Sequence, residues 1–393
     1  MHEPCDSNVD ASTDIDTVCG TDGSRFQWQS AYNWPAPKRL EAASSGMPAD
    51  KACRLASQGV GIVWAGDFHQ ARALLQAMKR RLSTKSDVQL KAFSALPWPE
   101  RFHRIRLQRA QTARLLGMLL MRIEPDYQLD YRRAPQAHEA LQMAYGSRLA
   151  KSRFVVPLTE LTGVLSAHEW HRKGLAVATL GQSIYPRWGV FAPTRHEYLE
   201  LVMQAELPDH CQRAVDVGTG TGVVAMLLAR RGIAHVVATD TNPAAVACAT
   251  DNVTRAGLAD RIEVTATHLL PQGQFDLLVC NPPWLPGAAN SALEAAVYDP
   301  KHQMLRGFLQ MAREHLTPNG QAWLILSDLA EHLGLRTRQT LLDWITQAGL
   351  SVHHRLDIKP EHRKLDRASD LLATARVLET TSLWQLCSSD ETP

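Results

Sequence analysis

A chain of 393 residues with 45% apolar content is long enough for two domains with ordinary cores. No segment approaches the roughly 18 consecutive apolar residues that mark a membrane-crossing helix, so no span is expected. The formal net charge of +2 leaves any nucleic-acid reading to local charge rather than to the whole molecule.

Residues 1–24 hold six acids and neither Lys nor Arg, the reverse of a secretory signal's charge pattern. This Ser/Thr/Asp-rich lead is expected to be a disordered acidic tail. From 25 to 183 the patterns are mostly helical, at 50–58, 68–82, 99–123, 135–145 and 158–173. Their apolar residues recur at three- and four-residue intervals, as in Ala73, Leu74, Met78 and Leu82. The β-prone pieces at 62–64 and 183–185 are ambiguous, and no internal repeat is visible.

Charge gathers in one place. Residues 71–133 contain fourteen Lys/Arg and five Asp/Glu, and Arg101, Arg104, Arg106, Arg109 and Arg114 crowd one expected helix. Such a strip neutralises phosphates and positions RNA, or it is a helix face that is solvated or paired with acids elsewhere; the pattern fits both. The nearby Phe93, Trp98 and Phe102 suit a core as well as a stacking platform. His168, Glu169 and His171 form a short helical cluster without a further ligand, and no metal is assigned. Seven cysteines, odd in number and without a C-x-x-C pair, point to free thiols in a reducing, cytoplasmic setting.

Beyond Phe191 strands alternate with helices, as a parallel sheet requires. A helix follows Pro193, with Tyr198, Leu199, Leu201 and Val202 as its apolar face. The apolar strand at 214–217 then runs into Gly218-Thr219-Gly220-Thr221-Gly222, and a helix follows to about Arg231. Glycines let a backbone turn tightly and approach a ligand without a Cβ in the way. A second strand ends in Asp240, an acid placed to accept ribose hydroxyls, or else a helix cap before Asn242-Pro243. Val223 stands where a dinucleotide fingerprint needs its last glycine, so a nucleoside without a pyrophosphate fits better.

The strand at 275–280 stops at Asn281-Pro282-Pro283-Trp284. Two prolines remove donors and fix φ, so the strand ends in a stiff loop at the sheet edge where α/β proteins bind ligands. Asn281 offers an amide oxygen, the prolines offer carbonyls, and Trp284 offers a flat face. These groups suit a planar acceptor that carries an N–H. Read alone, the loop is equally an ordinary turn. Cys280 beside it reads as a small buried strand residue. Further on, a strand at 321–327, a helix at 337–348 and strands at 352–358 and 381–386 complete the pattern.

The run from Asp216 to Gly222, then Asp240, then Asn281-Pro282-Pro283-Trp284 resembles the main motifs of class I S-adenosylmethionine-dependent methyltransferases. The Asn-Pro-Pro-aromatic form is similar to that of enzymes methylating planar nitrogens: adenine N6, guanine N2 in RNA and the glutamine amide of release factors. Gly189-Val190-Phe191 resembles the opening of the "methyltransferase small" group. The resemblance, which covers about 184–393, implies an α/β fold with a Rossmann-like seven-stranded sheet, its last two strands antiparallel; the patterns at 25–183 place a mostly helical N-terminal domain, of no module the resemblance names, before it. The resemblance also implies S-adenosyl-L-methionine as cofactor, held by Asp216, Gly218, Thr219, Gly220, Gly222, Asp240, Thr241, His268, Leu269 and Asn281. The family usually places an acid for the adenine amine where this chain has His268. Asn281, Pro282, Pro283 and Trp284 would carry catalysis, with Phe191 and Trp284 on the substrate. The acceptor would be a macromolecule, RNA or a translation-associated protein, because a full additional domain exceeds what a small substrate needs. A small-molecule N-methyltransferase and a non-catalytic nucleotide- or RNA-binding module are the alternatives.

Overall fold

The computed structural model describes residues 17–19, 25–147, 149–360 and 372–389. Two sheets dominate it. The first is built from β1 (Thr17–Cys19), β2 (Arg25–Trp28), β3 (Arg39–Ala43), β4 (Val60–Trp64), β5 (Leu119–Ile123) and β6 (Phe154–Pro157), in the order β1-β2-β6-β5-β4-β3. Helices α1 (Ala49–Ser57), α2 (Phe68–Phe93), α3 (Trp98–Leu116) and α4 (His138–Tyr145) connect these strands, and α5 (Leu158–Lys173) follows β6. Helices hold most of the residues in this half, as expected, but α1, α2, α4 and α5 pack on a sheet that the helical patterns had concealed.

Two readings need correcting here, and an ambiguous one is decided. The expected helix at 99–123 ends at Leu116, and its last residues form β5. Gly117 makes the break, and a Cβ there would run into the Trp34 ring. Within the acidic lead, Thr17–Cys19 is a strand, antiparallel to β2 with Val18 buried; the rest of that lead lies outside the described residues. The piece at 62–64 belongs to β4, buried along its whole length.

Glu160 of α5 is wholly buried in this core, accepting from the Tyr145 hydroxyl at 2.7 Å and the Ala31 amide at 2.9 Å. Burial pushes its carboxyl up to about 7, against the two hydrogen bonds, which favour the charged form. The folded value lies above the ordinary 4.5, so the stability this group contributes is full below that pH and is lost as pH rises through about 7. Glu160→Gln cannot ionise and has the pattern of the protonated carboxyl: its oxygen accepts from the Ala31 amide, and its NH₂ donates to the Tyr145 hydroxyl oxygen, reversing that bond. The variant is expected to match the parent near pH 4.5 and to exceed its stability at pH 8 by roughly 3 kcal/mol. Denaturant unfolding across that pH range checks this, and parallel curves would remove the assignment.

The chain passes to the second core at Gly174. The hairpin of β7 (Leu175–Val177) and β8 (Gln182–Ile184) buries Val177, Leu180 and Ile184 against the second sheet's helices, so this core begins before residue 184. Then follow α6 (Glu197–Gln204), β9 (Arg213–Val217), α7 (Val223–Arg230), β10 (His235–Asp240), α8 (Pro243–Arg255), β11 (Ile262–Ala266) and β12 (Phe275–Cys280). After these come α9 (Ala292–Ala295), α10 (Gln303–His315), β13 (Leu316–Ser327), α11 (Leu329–His332), α12 (Arg338–Gln347), β14 (Leu350–Ile358), α13 (Ala373–Leu378) and β15 (Thr381–Ser388).

The seven strands lie in the order β11-β10-β9-β12-β13-β15-β14, parallel except for β15, which runs antiparallel to β13 and β14. Helices cover both faces: α6 and α7 on one, α10 and α12 on the other. After β9 the chain first winds outward through β10 and β11, then returns to pair β12 on the other side of β9. This reversal opens a crevice at the strands' carboxyl ends. Among the described residues no helix is long and apolar enough to cross a membrane.

Candidate active site

Register brings the separate sequence motifs to one edge. Val217 pairs with Cys280 across β9 and β12, and Thr239 pairs with Val217 across β10 and β9. Gly218, Asp240 and Asn281 therefore leave three adjacent strands at one level. They line a cleft of about 1040 Å³ whose wall also holds Asp216, Thr219, Gly220, Thr241, His268, Leu269, Pro282, Pro283, Trp284 and Phe191. Gly222 stands apart from this wall: at the start of α7, it brings its backbone against Ala249, which a Cβ would meet at 3.3 Å.

The glycine loop is left-handed at Gly218, Gly220 and Gly222, with φ of +70°, +56° and +81°, conformations that cost a side-chain-bearing residue about 1–2 kcal/mol each. Two carboxylates hold it. Asp216 is buried and accepts from the Thr219 hydroxyl at 2.6 Å and from the Ala225 amide at 3.0 Å, latching the loop to α7. Burial pushes its carboxyl up to about 6, against both hydrogen bonds. Asp240 accepts from the Gly220 amide at 3.0 Å through Oδ2 and from the Asn242 amide at 2.9 Å through Oδ1. Each oxygen keeps acceptor capacity for a further donor. The helix cap considered for Asp240 falls instead to Asn242, which accepts from Ala244 and begins α8.

Asn281 and Trp284 meet directly. The indole Nε1 donates to Asn281 Oδ1 at 2.9 Å, an arrangement the sequence did not announce. The indole is half-buried beside the core that contains Cys280, and the Arg195 guanidinium lies 5.4 Å from its ring centroid. The tryptophan thus orients the amide, whose oxygen retains a second lone pair. Cys280 is wholly buried in β12, and burial holds its thiol well above the ordinary range. His268 is exposed on the cleft rim, while Leu269, with φ of +57°, turns inward and accepts from the Thr239 hydroxyl at 2.7 Å. Phe191 is 45% exposed at the mouth.

Several wall residues had no local signal. Met304, in the first turn of α10, lies where a Cβ on Gly218 would meet its methyl at 2.6 Å. Arg195 reaches Glu197 at 2.5 Å and, across the fold, buried Glu379 at 3.3 Å. Asp299 caps α10 through Met304 and Leu305; an Asp before Pro300 is a helix-start signal that sequence reading can catch. Away from the cleft, His171 bonds the Tyr185 carbonyl and His168 pairs with Glu139.

The cleft's features fit the adenosyl cofactor implied above. The glycine turn leaves open space where Gly220 lacks a Cβ, and Asp240 offers two oxygens beside it. A family model described as the methyltransferase small domain matches residues 182–342. A release factor glutamine methyltransferase from Deinococcus radiodurans is 31% identical over 216 residues, 53% of this chain and 73% of that protein. The chain belongs to the methyltransferase small domain family.

Membership in the family implies a methyl donor of the S-adenosylmethionine type. A release factor glutamine methyltransferase from Cereibacter sphaeroides is 30% identical over 184 residues, covering 43% of this chain and 62% of that protein. A tRNA1(Val) (adenine(37)-N6)-methyltransferase from Parabacteroides distasonis is 30% identical over 165 residues, covering 39% of this chain and 64% of that protein. The chain thus spans just under two thirds of the length of these two relatives. A solved ribosomal protein L11 methylase from Lactobacillus delbrueckii subsp. bulgaricus matches at 18% identity and a TM-score of 0.35, over 53% of this chain and 87% of that one.

Proposed function

We propose that this chain transfers a methyl group from S-adenosylmethionine to a planar nitrogen of a macromolecule, an RNA base amine or a protein glutamine amide. The observation that carries the reading is Asn281 Oδ1, fixed by Trp284 Nε1 at 2.9 Å and placed at the end of the strand beside the glycine turn. Relatives named for glutamine and for adenine N6 support the acceptor class. When bound, the cofactor supplies a methyl on a sulfonium, a carrier that departs as a neutral thioether.

The chain's own residues do the rest. An amide or exocyclic amine is a poor nucleophile because its lone pair is delocalised into the neighbouring π-system. Asn281 Oδ1, with the Pro282 carbonyl, accepts its N–H groups and favours the pyramidal nitrogen whose lone pair is free to attack. Asp240 receives the ribose hydroxyls, and Gly218 and Gly220 admit the methionine portion. Positioning of this kind removes several kcal/mol of barrier without a dedicated base; the methylated nitrogen, cationic once the methyl has moved, then gives up its proton to solvent. Phe191 and the indole of Trp284 bound the acceptor's plane.

Trp284→Phe keeps the ring and removes the donor that aims Asn281. The variant is expected to lose about tenfold in single-turnover rate, the worth of one such hydrogen bond. An unchanged rate would show that Asn281 needs no such partner. The reaction itself is tested with labelled S-adenosylmethionine and a fractionated lysate: label should enter RNA or protein. Label confined to small metabolites would replace the macromolecular acceptor, and no label in any fraction would overturn the transfer reading.

A further inference from the structure

Between Leu285 and Asp299 the chain leaves the Asn-Pro-Pro-Trp loop and returns to the same place. Leu285 bridges Tyr298, its amide reaches the Val297 carbonyl at 3.3 Å, and its carbonyl accepts from Asp299 at 2.9 Å. The segment is an Ω-shaped loop, closed at its neck. It supplies Ala288, Ala289, Ala292 and Tyr298 to the cleft wall next to Trp284. Ser291 and Glu294 cap its short helix α9 from within. At its tip, by contrast, it is held from the other domain.

The holder is Arg106 of α3. Its guanidinium donates to the Ala288 carbonyl at 2.6 Å, lies 3.6 Å from the Tyr298 ring centroid and stands 3.6 Å from Glu294. The side chain is only 16% exposed. Phe102, one turn earlier, and the adjacent Ile105 are buried in a cluster with Leu285, Leu329, Ala330 and Leu333, so α3 presents Arg106 from a fixed seat. Gly287 lets it in: a Cβ there would overlap Arg106 Nη1. Neighbouring arginines of the basic strip are used locally, Arg101 on the Phe93 and Leu96 carbonyls and Arg104 on Glu100.

We infer that Arg106 is a positioning residue through which the N-terminal domain sets the wall of the cleft facing the acceptor. A carbonyl bond, an arene stack and a nearby carboxylate converge on one planar group that lysine could not replace. A shift of α3 as the substrate docks would then carry the loop with it and change the acceptor's room beside Asn281, leaving the glycine turn untouched. The inference rests on reading this cleft as a transfer site, but its test does not require turnover.

Hydrogen exchange on the full chain is the measurement. Arg106→Ala should raise exchange at 288–296 by about tenfold, the scale of losing one hydrogen bond with its aromatic contact. Arg106→Lys should restore only part of the protection. Gly287→Ala attacks the same contact from the loop, at a φ that alanine tolerates, and should raise exchange similarly. The double variant should be no worse than either single one, because both remove one interaction. Affinity for S-adenosylhomocysteine should stay within twofold throughout. With the labelled fraction as acceptor, the single variants should raise KM several-fold more than they lower kcat. Additive effects, unchanged exchange at the loop, or equal loss of cofactor affinity would each overturn the proposal. Unchanged exchange in an active enzyme would leave the transfer reading standing, whereas altered exchange in an inactive one would leave Arg106 its role.

Discussion

Asn281→Ala is expected to lower methyl transfer by about a hundred- to a thousandfold, the cost of removing one preorganised partner of the reacting group. Cofactor affinity should hardly move. The glycine turn is fastened by Asp216 and Asp240, and neither bonds Asn281. Pro282 and Pro283 keep the loop stiff without the amide, so the loss should fall on kcat. Single-turnover rates with labelled cofactor, beside calorimetric titration of S-adenosylhomocysteine, separate the two quantities. A variant that turns over normally would remove Asn281 from the chemistry. The Trp284 indole loses its acceptor in this variant, and a half-buried N–H reaches solvent at small cost, so the fold should persist.

The second large effect is expected at Asp240. Asp240→Asn should weaken S-adenosylmethionine binding by about a hundredfold. Both carboxylate oxygens accept backbone amides, from Gly220 and Asn242. An asparagine must turn its NH₂ toward one of them, setting donor against donor. A hydrogen bond to a charged acceptor is worth about 1.5–3 kcal/mol, and the loop carrying Gly220 would shift with it. At saturating cofactor the rate should recover most of its parent value, because Asn281 and Trp284 are untouched. Binding within threefold of the parent would mean that Asp240 serves the turn alone.

The second domain was legible because its signals are local. The glycine turn, the acid at the end of β10 and the proline stop at Trp284 each follow from chemistry within a few residues. Strand order then joined them, and the antiparallel placement of β14 and β15 agrees with the family's pattern. The first domain was less legible for a physical reason. Its strands are three to five residues long, too short to show a period, and the apolar run of α3 continues into β5 past Gly117, where the helix ends. The basic strip stayed open between two readings, since where Arg106 points depends on a carbonyl 182 residues away. The bond from Trp284 to Asn281 needed rotamers, which a sequence does not carry.

The pairing of Val217 with Cys280 has a geometric consequence. Neighbouring strands in a ladder lie about 4.8 Å apart, and both turns begin one residue beyond that rung. The gap between the glycine turn and Asn281 is therefore ruled by the pitch of the sheet, as marks on a steel ruler are by its engraving. To alter that gap, the protein would have to break β12 from β9, the two strands at the centre of its core.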